Sequence, residues 1–206
     1  MKQLFVASLA TLSVIVYSCN DHKDHTASTQ KEEQTATAEK PSEDTEQVKV
    51  IKASFTNVDA GVTTYIKALT DDYLQVKNAL ANGKANEAGD AAKKMYDAMK
   101  SFDKSLLSAE QKKIYDQNED DLKEHAEHIS KSTGDIEHQR DHFSMMSEDM
   151  YSLVKAFSPG KALYHDHCPM AKQGKGAMWL SETKEIKNPY LGEKMPDCGT
   201  VEEEIQ

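Results

Sequence analysis

Basic residues are the minority charge in this chain of 206 residues. There are 25 Lys and Arg against 35 Asp and Glu, a formal net charge of −10. A nucleic-acid surface needs a cationic footprint to displace counterions, so no nucleic-acid partner is expected. Proline (5) and glycine (9) are sparse, which excludes collagen-like or low-complexity character for the chain as a whole. The length suits one domain with extensions and excludes a large multidomain enzyme. Catalytic signatures are missing too. There is no Ser-His-Asp or nucleophile-elbow pattern, Gly174-Lys175-Gly176 is too short for a phosphate loop, and no Cys-x-x-Cys-His marks a haem attachment. A binding or structural role is therefore expected, and not an enzyme. Against these shortages stand nine Met and eight His, a surplus of soft and imidazole side chains.

Long hydrophobic runs are also missing, apart from one at the start. Lys2 precedes an apolar stretch, Leu4 to Val16, that is too short to span a bilayer comfortably and fits a signal peptide over residues 1–18. It ends Val16-Tyr17-Ser18-Cys19, which resembles the lipobox of bacterial lipoproteins, with Cys19 the acylated first residue of the mature chain. Residues 20–47 contain no Val, Ile, Leu, Met, Phe, Trp or Tyr and carry eight acidic and three basic residues. Such a stretch cannot bury enough apolar area to offset its ordering entropy. Residues 19–47 are read as a lipidated, disordered tether, and the protein as lipid-anchored to a membrane of the bacterial envelope, periplasmic or surface-facing.

The next hundred residues carry helical periodicity. Val62, Tyr65, Ile66, Leu69, Tyr73, Val76 and Leu80 recur at spacings of three and four over 59–81. Asn82-Gly83 supplies a stop. A second helix is expected over 86–106 with Ala88, Ala92, Met95, Met99 and Phe102 inward. A third opens on the capping box Ser108-Ala109-Glu110-Gln111. A fourth carries Ile136, Phe143, Met146, Met150, Val154 and Phe157 and stops at Ser158-Pro159-Gly160. The expected fold class is all-α: an antiparallel four-helix bundle over 48–158, with a loop-rich C-terminal lid over 159–206 packed on it. Arg140 falls on the apolar stripe of the fourth helix, so it needs a partner and is read as a structural clamp. His125 and His128 lie three apart, and His138 and His142 four apart, so each pair shares a face. Helical di-metal bundles also need an inward Glu-x-x-His pattern, which is incomplete here, and solvated helix faces are the simpler reading.

After Gly160 the character changes. The segment holds His165, His167, Cys168-Pro169-Met170 and, at its far end, Met195-Pro196-Asp197-Cys198. Two thiolates, two thioethers and two imidazoles form a soft ligand set of the kind that selects Cu(I). The same two cysteines, exported to an oxidising compartment, are equally the makings of a disulfide. Composition leaves both readings standing.

The motifs His167-Cys168-Pro169-Met170-Ala171, Gly176-Ala177-Met178-Trp179-Leu180-Ser181, Ile186-Lys187-Asn188-Pro189-Tyr190 and Gly192 with Met195 and Cys198-Gly199 resemble a bacterial family of domains of unknown function. Gln139-Arg140 with Phe143 and Ser147 extend the likeness, which spans about residues 57–203. That family occurs as small envelope lipoproteins and fused to periplasmic adaptors of copper–silver-type heavy-metal efflux pumps. The resemblance implies a helical bundle and an association with copper or heavy-metal handling, an inference by analogy. The Pro196 beside Met195 departs from the family's pattern. The expected function is a membrane-anchored lipoprotein that binds a soft metal ion, Cu(I), as a buffer or chaperone for heavy-metal efflux components. Its site is expected at Cys168, Met170, Met195, Cys198, His167 and His165. The alternative is a structural or interaction domain closed by a Cys168–Cys198 disulfide.

Overall fold

The structure, a computed structural model, describes residues 48–206. The expected signal peptide, the acylated Cys19 and the tether lie outside the described residues. Four long helices run in sequence: α1 (Ala60–Ala81), α2 (Ala85–Ser101), α3 (Ala109–Lys131) and α4 (Ile136–Phe157). Each start has a local cause. Asp59 accepts a hydrogen bond from Gly61 N at 2.7 Å to open α1. Ser108 and Gln111 exchange hydrogen bonds in a capping box at α3, and Asp135 accepts from His138 N at the head of α4. α2 ends at Ser101, earlier than its periodicity suggests, because the chain turns extended at Phe102 and then forms a separate 3₁₀ turn at Lys104–Leu106.

The connections between helices are short, each helix packs on its predecessor, and α1 also packs on α4. Val62, Ile66, Leu69, Leu80, Leu122, Phe143, Met150 and Val154 fill the interior with no exposed surface to speak of. Phe102 is only partly buried and stacks on Tyr65, with ring centroids 3.8 Å apart.

The all-α expectation is overturned by the C-terminal segment. It is not a loop-rich lid but the body of a four-stranded mixed sheet. The strands are β1 (Lys49–Ile51), β2 (Leu163–Cys168), β3 (Ala177–Ser181) and β4 (Thr200–Ile205), in the order β1-β4-β2-β3. β2 runs antiparallel to both neighbours, and β1 joins β4 in parallel. The three residues of β1 lie before the helices, so the segment at 48–51 belongs to the sheet rather than to the bundle. α1 and α4 pack against β3, whose Trp179 and Leu180 are fully buried.

Arg140 joins the two layers. Its Nε donates to Pro189 O (2.9 Å), its Nη2 to Leu80 O (3.1 Å), and its Nη1 pairs with Glu137 (2.8 Å). A buried guanidinium must satisfy its donors, and here the carbonyls of α1 and of the segment after β3 do so. Gly192 makes room for it. It adopts φ +52°, and a Cβ there would sit 2.6 Å from Arg140 Nη2.

Candidate metal centre

The C-terminal candidates are placed as follows. Cys168, the last residue of β2, is fully buried and bonded to Cys198, which stands just before β4. Their Cα atoms are 5.7 Å apart, within the range a disulfide needs. A disulfide has no thiolate to offer a metal, so the six-residue Cu(I) set is not assembled. Met170 and Met195 lie at the surface, 55% and 39% exposed. His165 and His167 straddle Glu202 rather than converging on the cysteines. Their Nδ1 atoms are 3.3 and 3.4 Å from its two carboxylate oxygens. His165 rests against the Tyr151 ring, and burial holds its pKa below the ordinary imidazole value.

The bond closes a loop with a sequence separation of 30 residues. Removing it (Cys168→Ala with Cys198→Ala) is expected to lower stability by about 3–4 kcal/mol, from the entropy restored to the unfolded chain. Denaturant melts with and without a thiol reductant check this. A loss under about 1 kcal/mol in both would assign the hold on β4 to the sheet alone.

The chemistry gathers instead on the bundle. α3 and α4 form a hairpin with only Ser132–Asp135 between them, so the last turns of one face the first turns of the other. On α3, His125 and His128 share a face by their spacing of three. On α4, His138 and His142 do so by their spacing of four. The hairpin turns these two faces together. Ligand nitrogens of His128, His138 and His142 all lie within 4.8 Å of one another, the one such His/Cys/Asp/Glu group among the described residues. The rings of His128 and His142 stack with centroids 4.2 Å apart, and His138 meets His142 edge-on at 4.6 Å. His125 Nδ1 reaches His142 Nδ1 at 3.1 Å.

Zinc–imidazole bonds of 2.0–2.1 Å put tetrahedral neighbours roughly 3.4 Å apart, so small rotamer changes bring three nitrogens onto one ion. The electrostatics favour the ligating state. Burial and the neighbouring imidazoles of His128, His138 and His125 push His142 down to about 4. Burial also lowers His125. A neutral imidazole keeps its lone pair for a metal, so a proton does not compete for His142 at neutral pH. The site opens to water, with the His128 side chain 46% exposed and His138 exposed. Carboxylates surround it: Glu124 lies 3.8 Å from His128 Nε2, and the charges of Asp121 and Glu148 reach His125.

No helix among the described residues is long and apolar enough to cross a membrane. No curated protein and no solved structure matches the chain. Residues 69–162, which run from within α1 past the end of α4 to the start of β2 and include all four clustered histidines, match a family described as a protein of unknown function, DUF3347.

Proposed function

We propose that this protein binds one divalent transition-metal ion through His128, His138 and His142 and releases it to a partner, as an exchangeable carrier and not as an enzyme. The observation that carries this reading is the convergence of three imidazoles from two helices within 4.8 Å. Three protein ligands leave a fourth coordination position open to water or an incoming ligand. The helices are already held by their own core, so the fold has no need of a structural ion. Imidazole nitrogen suits Cu(II), Zn(II) and Ni(II), with Cu(II) bound most tightly of the three, whereas Cu(I) prefers the sulfur ligands that this disulfide withholds. Acidic residues around the site raise the local concentration of cations. The resemblance to domains of envelope lipoproteins and efflux adaptors supports the same direction. In this proposal Cys19 anchors the protein to the envelope membrane, and heavy-metal efflux components take its cargo.

The test is competition for Zn(II) and Cu(II) against a chromophoric chelator, comparing the wild type with His138→Ala/His142→Ala. One equivalent per chain is expected in the wild type. The double variant is expected to bind at least ~100-fold more weakly, because one imidazole alone remains of the three. Both histidines are on the solvent side of α4, so its circular dichroism should be unchanged. Equal affinity in the two proteins overturns the site.

A further inference from the structure

The fourth histidine of the cluster does not join the other three. His125 is half-buried on α3, and its nitrogens are not part of the group that converges within 4.8 Å. It makes one specific contact, Nδ1 to Nδ1 with His142 at 3.1 Å. Two lone pairs facing each other at that distance repel, and two N–H groups do the same. One nitrogen must therefore carry the proton and the other accept it.

Resting on the metal-binding reading above, we infer that His125 is a positioning residue. It accepts a hydrogen bond from the Nδ1–H of His142 and so presents His142 Nε2 to the metal. The alternatives are less consistent with the geometry. If His142 ligated through Nδ1, the ion would have to displace His125 from a contact already made. If His142 ligates through Nε2, the contact persists in both the empty and the loaded site. Metal-bound imidazoles characteristically donate their second N–H to an acceptor that fixes tautomer and ring plane and raises ligand basicity. His125 is in the place of that acceptor. With its Nδ1 accepting, its own proton sits on Nε2, in the field of Asp121, Glu124 and Glu148.

The arrangement also accounts for a spacing that a three-ligand site does not require. His138 and His142 on α4 with His128 on α3 are sufficient to hold an ion. His125 lies one turn before His128, where it meets His142 and not His138.

The experiment compares wild type, His125→Asn and His125→Leu, each as purified full chain. Zn(II) affinity is read by chelator competition, coordinated nitrogens by pulsed EPR of the Cu(II) form, and imidazole tautomers by ¹⁵N NMR of the metal-free protein. The Asn side chain can place its Oδ1 near the position of the lost Nδ1, whereas Leu offers no acceptor. His125→Leu is expected to weaken Zn(II) binding about 10–100-fold, the usual effect of losing such an outer partner. His125→Asn is expected to stay near the wild type. All three proteins should show the same number of coordinated imidazoles, and metal-free His142 should be the Nδ1–H tautomer. Unchanged affinity in His125→Leu overturns the inference. So does an Nε2–H tautomer at His142, or the loss of one coordinated nitrogen in both variants, which would make His125 a ligand. No binding by the wild type would instead overturn the metal-binding reading on which the inference rests.

Discussion

Phe143→Ala is expected to cost about 3–5 kcal/mol of stability, the range for removing a buried phenylalanine from a packed core. The residue sits on α4 with no exposed surface, where helices and sheet meet. Its ring stacks on Tyr73 of α1 with centroids 5.1 Å apart, and it tilts against Tyr190 at 5.7 Å. Both tyrosines are tied elsewhere. Tyr73 bonds Ser147 Oγ at 2.8 Å and accepts from Leu180 N of β3 at 3.0 Å, while Tyr190 OH donates to Met178 O. Ser147 in turn donates to Phe143 O. Anchored neighbours cannot collapse into the space that the ring leaves, so the cavity term stays large. Phe102→Ala is the control. That ring is partly buried and stacks on Tyr65 near the surface of the bundle, and its loss should cost about 1–2 kcal/mol. Urea midpoints at constant m-value separate the two. A loss below about 1 kcal/mol for Phe143→Ala would contradict the packing described.

The same residues show what a sequence discloses and what it conceals. Phe143, Met146, Met150 and Val154 recur at helical spacing, and Ser108 with Gln111 spells a capping box, so the four helices are legible from local pattern alone. The sheet is not. β2 reads Leu-Tyr-His-Asp-His-Cys and is buried at Leu163, His165, Asp166 and Cys168, with a register shift between His165 and Asp166. A bulge and polar residues at buried positions erase the alternation by which a strand is recognised. β1 is three residues long, and its partner β4 lies some 150 residues away along the chain. Nothing local to Lys49–Ile51 specifies that pairing. The histidine cluster is half legible. The pairings of His125 with His128 and of His138 with His142 stand in the sequence, but which faces meet depends on the four-residue hairpin between α3 and α4. Ligand softness instead points to Cys168 and Cys198, whose proximity serves a disulfide and a metal site alike. The signal for the histidines is the hairpin itself: two His pairs placed at similar distances either side of a short interhelical turn lie at the same level of the two helices, and the hairpin geometry decides whether they face each other.

A second large effect is expected from Asp166, and it depends on pH. The carboxyl is fully buried on β2, opposite Trp179, and neither oxygen has a hydrogen-bond partner. Burial drives its pKa up to about 8. The charge of Lys77 offsets part of that, but the ammonium of Lys77 is engaged by Glu182 at 3.1 Å. The folded-state pKa therefore lies above the unfolded value of about 3.9. A group raised in this way binds more protons when folded, so its stabilisation is complete below about pH 4 and is lost as pH rises toward 8. Across that window the wild type should lose on the order of 5–6 kcal/mol through this one group. Carboxylates with lowered pKa values, such as Asp71 beside Lys161 and Lys67, act in the opposite sense at acid pH, so the wild-type curve alone does not isolate Asp166. Asp166→Asn does. Asn cannot ionise, and the difference in unfolding free energy between variant and wild type should move in the variant's favour from pH 5 to pH 9, whatever its value at pH 5. Asp149 on α4, pushed up to about 7 by burial and by Asp121 and Glu148, contributes in the same direction, and Asp149→Asn separates its smaller share. Urea melts of the three proteins at pH 5, 7 and 9 check the expectation. A constant difference between Asp166→Asn and wild type across that range would mean that Asp166 is ionised throughout in the folded protein, with Lys77 rather than a proton neutralising it.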